Sequence, residues 1–552
     1  MMLITKFIFT NINKDNMHDE LMFLKPNLII EPLVEKWYAW AHLISPATAS
    51  MNIIGRHLKI MSSYVEAPEL HELAVKNPKM LGGPFMDYPE TRQNEINDLI
   101  RRTNSNQAAQ IAFGNAITEL NNLLEFKAKG FSLEDLYDQV PELLKGYVEL
   151  VYDLNNHPSF RFFEPLLYKS EYYNKDAQSI AMWITENDER PFCLSTAKLN
   201  EPGVLHLDLP FDHPGIDLLS RMKRIPGNVD ELIRILNIPA DKQSLFRTFF
   251  TPKAHPAYRK YEGNSVRMRY FGHACILIET KSVSVLVDPL INYYGYDSNV
   301  NHYSDVDLPD VIDYVLITHN HQDHILLETL LPLRYKIKNL IVPATRSGAL
   351  QDPNLKLMFN NIGFNNVTEI DELEEIRFKD LTITGVPFTG EHSDLNIRAK
   401  MCYHVAIGGS TFLFVADSRV LEPRLYKHVQ QMIGNTDVLF LGMECDGAPL
   451  TWLYGPLLSK PVSRTDDQSR RLSGSNCEKG MHLVEIFRPK EVYVYAMGQE
   501  PWVEFISTVK YTNESNPIVQ SDLLIEKCKE SGIIAERLYG EKELLYRYKI
   551  EI

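Results

Sequence analysis

Cysteine is scarce in this chain: six in 552 residues, none in a Cys-x-x-Cys pair. That excludes a disulfide framework and predicts reduced thiols in a cytoplasmic protein. Basic residues are also outnumbered. Lys and Arg total 57 against 72 Asp and Glu, a net charge of −15, so a nucleic-acid binder working by phosphate neutralisation is excluded. No apolar run approaches the length of a membrane span. Residues 1–10 are apolar, but Lys6 interrupts them and Asn and Asp follow, which predicts a first strand rather than a cleaved leader. A soluble enzyme of two or three domains is the default.

What the chain does have is a dense histidine–carboxylate stretch. Residues 314–317 form an apolar run that reads as a buried strand. It ends at Thr318 and releases His319, His321, Asp323 and His324 into a loop. Alternation along an extended segment puts His319 and His321 on one side, so two imidazoles converge on one point. Asp323 and His324 reach a second point nearby. Imidazole with carboxylate at this density predicts a divalent-metal site, and two groups of ligands predict two metals.

Before residue 262 no motif carries chemistry. Residues 32–44 have helical apolar spacing with an aromatic face from Trp37, Tyr38 and Trp40, suited to core packing or a subunit contact. Residues 94–126 predict one or two helices, and Ser132 to Asp135 predicts the start of another, running to about residue 154. Residues 179–184 and 203–208 read as strands, and 229–236 as a helix. His206 and His213 are taken as ordinary polar residues. Residues 252–263 read as a linker, giving an N-terminal mixed α/β domain over 1–262 and a catalytic domain over 263–552. In the second half, strands ending in carboxylate or histidine alternate with helices. The expected fold is an α/β, αββα sandwich with its loops gathered at one edge.

Gly272-His273, Asp288-Pro289, His319-x-His321-x-Asp323-His324 and Asp417 at a strand end together resemble the metallo-β-lactamase superfamily over roughly residues 265–552. The resemblance implies that His319 and His321 hold one metal, Asp323 and His324 the other, and that Asp417 bridges them. Two departures matter. Hydrolases of that family supply a third histidine where this chain has Gly390-Glu391-His392, placing Glu391 in the ligand slot. They also supply a late histidine to metal two, and residues 495–500 contain none; nearby His482 lies on the preceding helix. A hard anionic donor in place of imidazole suits iron with open positions for O₂. Zinc tolerates such ligands, but the added charge weakens the metal as a Lewis acid towards water.

With its two-part layout, the Gly390 to Leu395 loop, the Phe414 to Ser418 strand end and the Arg464 to Arg471 segment, the chain is similar to the non-haem di-iron β-hydroxylases of nonribosomal peptide and chloramphenicol assembly. That resemblance implies two Fe ions, O₂ as co-substrate and an aminoacyl thioester on a carrier protein as substrate. It also implies an external electron donor, a homodimer formed through the N-terminal domain, and no nucleic-acid or membrane partner. His319, His321 and Glu391 would hold one iron, Asp323 and His324 the second, with Asp417 between; Glu391 and Asp417 are the expected catalytic ligands. The alternatives are a dinuclear zinc or iron hydrolase of an ester, lactone, thioester or phosphodiester, and a metal-binding scaffold without turnover. Secondary candidates are Arg464, Arg470 and Arg471 for a phosphopantetheine phosphate, and Glu444 and Asp446 near the site. Trp452, Tyr454 and Trp502 are candidates for a pocket or the core, Tyr293, Tyr294 and Tyr296 for a lid, and His392 for a position behind a ligand.

Overall fold

The computed structural model describes residues 21–547; the strand expected over residues 1–10 lies outside them. Two seven-stranded sheets face each other in the C-terminal half. In the first, Ser284–Val287, Ile312–Leu316, Ile337–Pro343 and Val367–Ile370 run parallel. Their residues alternate between two apolar layers. Val285, Tyr314 and Leu316 point into the core between the sheets, while Leu286 and Val315 join a core on the outer face. Burial on both faces is why these strands read as unbroken apolar runs rather than as alternating patterns.

The second sheet is built around Cys402–Ile407, Ser410–Phe414, Val438–Gly442 and Glu491–Tyr495. Helices Pro423–Ile433, Cys477–Phe487 and Asn516–Glu530 cover its outer face. The layers are therefore helix, sheet, sheet, helix, the expected αββα sandwich. Strands Ser284–Val287, Ile312–Leu316 and Ser410–Phe414 all end at one edge, just before Asp288, His319 and Asp417.

The N-terminal half contributes an antiparallel four-stranded sheet, ordered Trp37–Tyr38, Leu28–Val34, Gln178–Ile184, Leu205–Asp208. Helices Gln93–Asn106 and Ala108–Lys127 lie in it where helices were expected. Residues 32–44 are not a helix. Strand Leu28–Val34 turns at Glu35 and Lys36, both with positive φ (44° and 72°), into Trp37–Tyr38, and only Ala41–Ile44 is helical. A two-residue turn with both φ positive suits a hairpin, but Glu-Lys carries none of the usual Asn-Gly signal. Trp37 and Trp40 are 1% exposed, so they belong to the core. The helix expected from residue 133 is replaced by 3₁₀ turns Glu134–Gln139 and Glu142–Leu144 and strand Val148–Tyr152. Pro141 between the turns and Gly146 with φ 80° stop propagation. His213 caps helix Pro214–Arg221, its Nδ1 accepting from the Gly215 N–H, and His206 Nε2 meets the Leu199 carbonyl at 3.4 Å; both serve local structure.

One apolar core runs without a break from Leu28, Trp37 and Phe211 into Leu286, Val315, Leu327 and Phe505. At its edge Arg190 is clamped by Glu31 and by both carboxylate oxygens of Glu328 and of Asp188. Glu31 comes from the N-terminal sheet and Glu328 from the helix that follows the histidine loop. Among the described residues no helix is long and apolar enough to cross a membrane.

Candidate metal centre

The histidine loop leaves its strand under tight local control. Asp288, fully buried with φ 38°, accepts from the Thr318 N–H (2.7 Å) and the Thr318 hydroxyl (2.5 Å). Its Oδ2 also lies 2.8 Å from Nδ1 of His324. Thr318 Oγ1 in turn meets Nδ1 of His319 at 3.0 Å. Both Nδ1 atoms are thereby occupied, and both Nε2 atoms face the space between the sheets' edges. A partner behind the imidazole fixes the tautomer and the ring orientation of a ligand.

Six residues expected at the site converge there, in overlapping groups whose ligand atoms lie within 4.8 Å of one another. His319, His321 and Glu391 make one group, with His321 Nδ1 2.9 Å from Glu391 Oε1. His319, His324 and Asp417 make the next; Asp417 Oδ2 lies 3.1 Å from His324 Nε2 and 3.7 Å from His319 Nε2. Asp323 and His324 make a third together with His273, which the sequence marks only as part of the Gly272-His273 family feature and not as a ligand. His273 Nε2 is 3.2 Å from Asp323 Oδ2, yet neither ring nitrogen makes a hydrogen bond. The imidazole is close to the carboxylate without being aligned to it, as two donors facing a shared ion would be. The only signal for it in the chain is Gly272-His273 just before the strand Ile276–Glu279.

The backbone presents these groups from unusual conformations. His273, Glu391 and Ala416 have φ of 50°, 63° and 48°, the left-handed region that costs non-glycine residues about 1 kcal/mol or more each. Gly442 is needed beside Asp417: a Cβ there would lie 2.5 Å from Asp417 Oδ1.

Metal fits this site on its own evidence. Nε2 of His319 and Oδ1 of Asp417 are buried without a hydrogen-bond partner, and such groups are costly unless something binds them. Burial, then His324 and His321, hold the His319 imidazole well below its ordinary range, so it is neutral with a lone pair to give. Burial opposes ionisation of Asp323 and Glu391, but His324 and His273 around the first, and His321 and His392 around the second, outweigh it and hold both well below the carboxylate range. Burial with Glu391 and Asp323 nearby raises Asp417 despite His324. The donor set of imidazoles and three carboxylates suits a hard divalent ion.

The surrounding candidates divide. Tyr454 is fully buried with its hydroxyl 3.0 Å from His321 Nε2, so it belongs behind the site rather than in a pocket. His392 stacks on His321 at 4.4 Å and approaches Glu391 Oε2 to 2.7 Å; burial holds it at about 4. Trp502 packs over Gly272, next to His273. Tyr293 and Tyr296 are buried in the core and Tyr294 is exposed, which is not the arrangement of an open lid. Arg470 donates to the Ser393 carbonyl at 3.0 Å and so braces the Glu391 loop. Arg471 donates to the Asp446 carbonyl and to Gln468.

Glu444 accepts from the Tyr511 hydroxyl and the Asp446 N–H. Burial, with Asp446 and Asp417 adding to it, pushes Glu444 up to about 7. Its folded value thus lies above the unfolded one, so its favourable contribution is complete below pH ~4.5 and is lost as pH rises through ~7. Glu444→Gln is expected to stabilise the metal-free protein by ~1–2 kcal/mol at pH 8 and hardly at all at pH 4.5, after discounting for partial exposure. Urea midpoints at the two pH values check this, and an equal shift at both would refute it.

Residues 23–254 match the diiron non-heme β-hydroxylase N-terminal domain, and residues 284–448 match a β-lactamase superfamily domain. The chain is 35% identical over 527 residues to a 4-amino-L-phenylalanyl-(CmlP peptidyl-carrier-protein) 3-hydroxylase of Streptomyces venezuelae, spanning 94% of this chain and 99% of that one. The crystal structure of CmlA, a diiron β-hydroxylase from the same organism, superposes with a TM-score of 0.89 at 34% identity, covering 95% of this chain and 100% of that one. A glutamate-to-aspartate variant of CmlA superposes with a TM-score of 0.87, at the same identity and coverage.

Proposed function

The chain belongs to the diiron non-heme β-hydroxylases, and from that premise we propose that it hydroxylates the β-carbon of an aminoacyl group held as a thioester on a peptidyl carrier protein. The relative that is similar over 94% of this chain is named for that reaction. The observation that carries the reading within this chain is Glu391: a carboxylate, not an imidazole, completes the group formed by His319 and His321.

His319, His321 and Glu391 would hold one iron, and Asp323 and His324 the other with His273 beside them, with Asp417 placed between the two groups. Bound there, the iron pair supplies the reduction of O₂ and the insertion of one oxygen atom into a C–H bond. The chain's own residues do the rest. Asp288 and Thr318 hold His324 and His319 with Nε2 forward, and Arg470 braces the Glu391 loop. The buried, strained edge keeps the donors preorganised. Three carboxylates offset the ions' charge and make them poor activators of water.

Insertion of one oxygen atom and reduction of the other to water consumes two electrons and two protons, so an external electron donor completes the cycle. A homodimer formed through the N-terminal half, where Phe126, Phe131 and Leu154 are exposed, is part of this proposal. Cysteines that are all unpaired support a reducing, cytoplasmic setting.

Protein from iron-supplemented cells is expected to hold two irons per chain, as the family's diiron description implies, and to add one oxygen to an aminoacyl-loaded carrier, read by intact mass. Stoichiometric zinc with thioester hydrolysis, the alternative that remained from the sequence, would sink the proposal.

A further inference from the structure

His321 is flanked on both ring nitrogens. Nδ1 sits 2.9 Å from Glu391 Oε1, and Nε2 sits 3.0 Å from the hydroxyl of Tyr454. Tyr454 ends the short helix Leu450–Tyr454, and that helix is gripped from the N-terminal half. Arg56, 7% exposed on the π-helical turn Ile53–His57, donates from Nη2 to the carbonyls of Trp452 (2.8 Å) and Leu453 (2.7 Å). Its Nε donates to Asn52 Oδ1 at 3.2 Å, and Asn52 Nδ2 is tied to the Thr48 carbonyl. The same turn meets the residue that follows Tyr454 by two: a Cβ on Gly55 would fall 2.9 Å from Cβ of Pro456.

A buried guanidinium whose hydrogen-bond partners are all neutral oxygens is an expensive way to fill space. Here its charge lies at the C-terminal end of a helix, where exposed carbonyls carry partial negative charge. Nη2 reaches two successive carbonyls while Nε is held by Asn52, a planar arrangement of donors that a single ammonium nitrogen does not reproduce. Tyr454 is the next residue, so the position of those carbonyls sets where its hydroxyl sits.

We propose that Arg56 and Tyr454 are positioning residues for the metal ligand His321: Arg56 fixes the end of helix Leu450–Tyr454, and the Tyr454 hydroxyl accepts from Nε2–H of His321 so that Nδ1 is the nitrogen offered to iron. This rests on His321 being a ligand, as assigned under the proposed function. It gives the N-terminal half a direct hold on the metal shell through one buried cation and one hydroxyl. Loss of the partner behind a metal-bound imidazole typically costs 10–100-fold in metal affinity.

The test is a double-mutant cycle read on the iron-loaded protein, by the rate at which bipyridine strips ferrous iron. Tyr454→Phe and Arg56→Lys are each expected to speed loss of one iron about tenfold. The double variant should do so by about tenfold again, not a hundredfold, because both act through one contact. The EPR spectrum of the mixed-valent state should shift alike in all three, a readout that loosened packing alone would not move. A hundredfold effect in the double variant, meaning independent action, overturns the proposal. So does wild-type iron loss in Tyr454→Phe, which removes a single oxygen and keeps the fold whatever Arg56→Lys does. His321→Ala separates the two readings: if that variant keeps both irons, the ligand assignment fails. If it loses iron while Tyr454→Phe does not, only the positioning role fails.

Discussion

Glu391→His is expected to lower hydroxylation of the carrier-bound substrate at least ~10³-fold, about 4 kcal/mol in the barrier, while leaving two metal ions bound. The imidazole still donates a lone pair, so the shell is not emptied. What disappears is a negative charge 2.9 Å from His321 Nδ1, the one carboxylate in the group it forms with His319 and His321. Without it the pair loses the stabilisation that higher oxidation states require, and the ions become stronger Lewis acids towards water. Slow thioester hydrolysis should rise as hydroxylation falls. The checks are intact mass of the carrier, free-thiol release and metal content on one preparation. Hydroxylation unchanged in the variant would falsify the role given to Glu391.

Asp417→Ala should act on metal content itself. Its carboxylate is the group that faces both His319 and His324, and its Oδ1 has no protein partner. Alanine leaves the second ion with Asp323, His324 and His273, and the first with His319, His321 and Glu391, with nothing spanning them. Iron should drop to one per chain or less, and hydroxylation by more than ~10³-fold. The fold is expected to survive, since alanine at 417 is smaller than the aspartate that Gly442 accommodates and introduces no clash. Elemental analysis alongside the thermal midpoint of the metal-free protein decides it. Two ions retained in a folded variant would remove Asp417 from between them.

Much of this site was legible because its signals are short in range. The run 314–317, the release at Thr318 and the alternation of His319 with His321 lie within a few residues, and strand geometry fixes their directions. Glu391 and Asp417 were reachable only through the family pattern, since nothing local says that their loops meet the histidine loop. His273 was missed as a metal neighbour because its place depends on how the strands Ser265–Tyr270 and Ile276–Glu279 dock beside Ser284–Val287, which no dipeptide encodes. Arg56 and Tyr454 were further out of reach, separated by 398 positions in the chain and brought together by the carbonyls between them. In the N-terminal half, residues 32–44 misled because a strand buried on both faces is apolar at every position, and helical spacing can be found in any such run.

The unbroken core that joins Trp37 and Phe211 to Val315 and Leu327 bears on how such a protein can change over time. The helix carrying Leu327 and Glu328 begins just past His324, so the floor under the histidine loop is also the seam between the two halves. Neither half owns that seam. Exchange of one half for a foreign counterpart would strip the floor from beneath the loop, so the two halves are expected to melt in one transition, read by calorimetry of the whole chain.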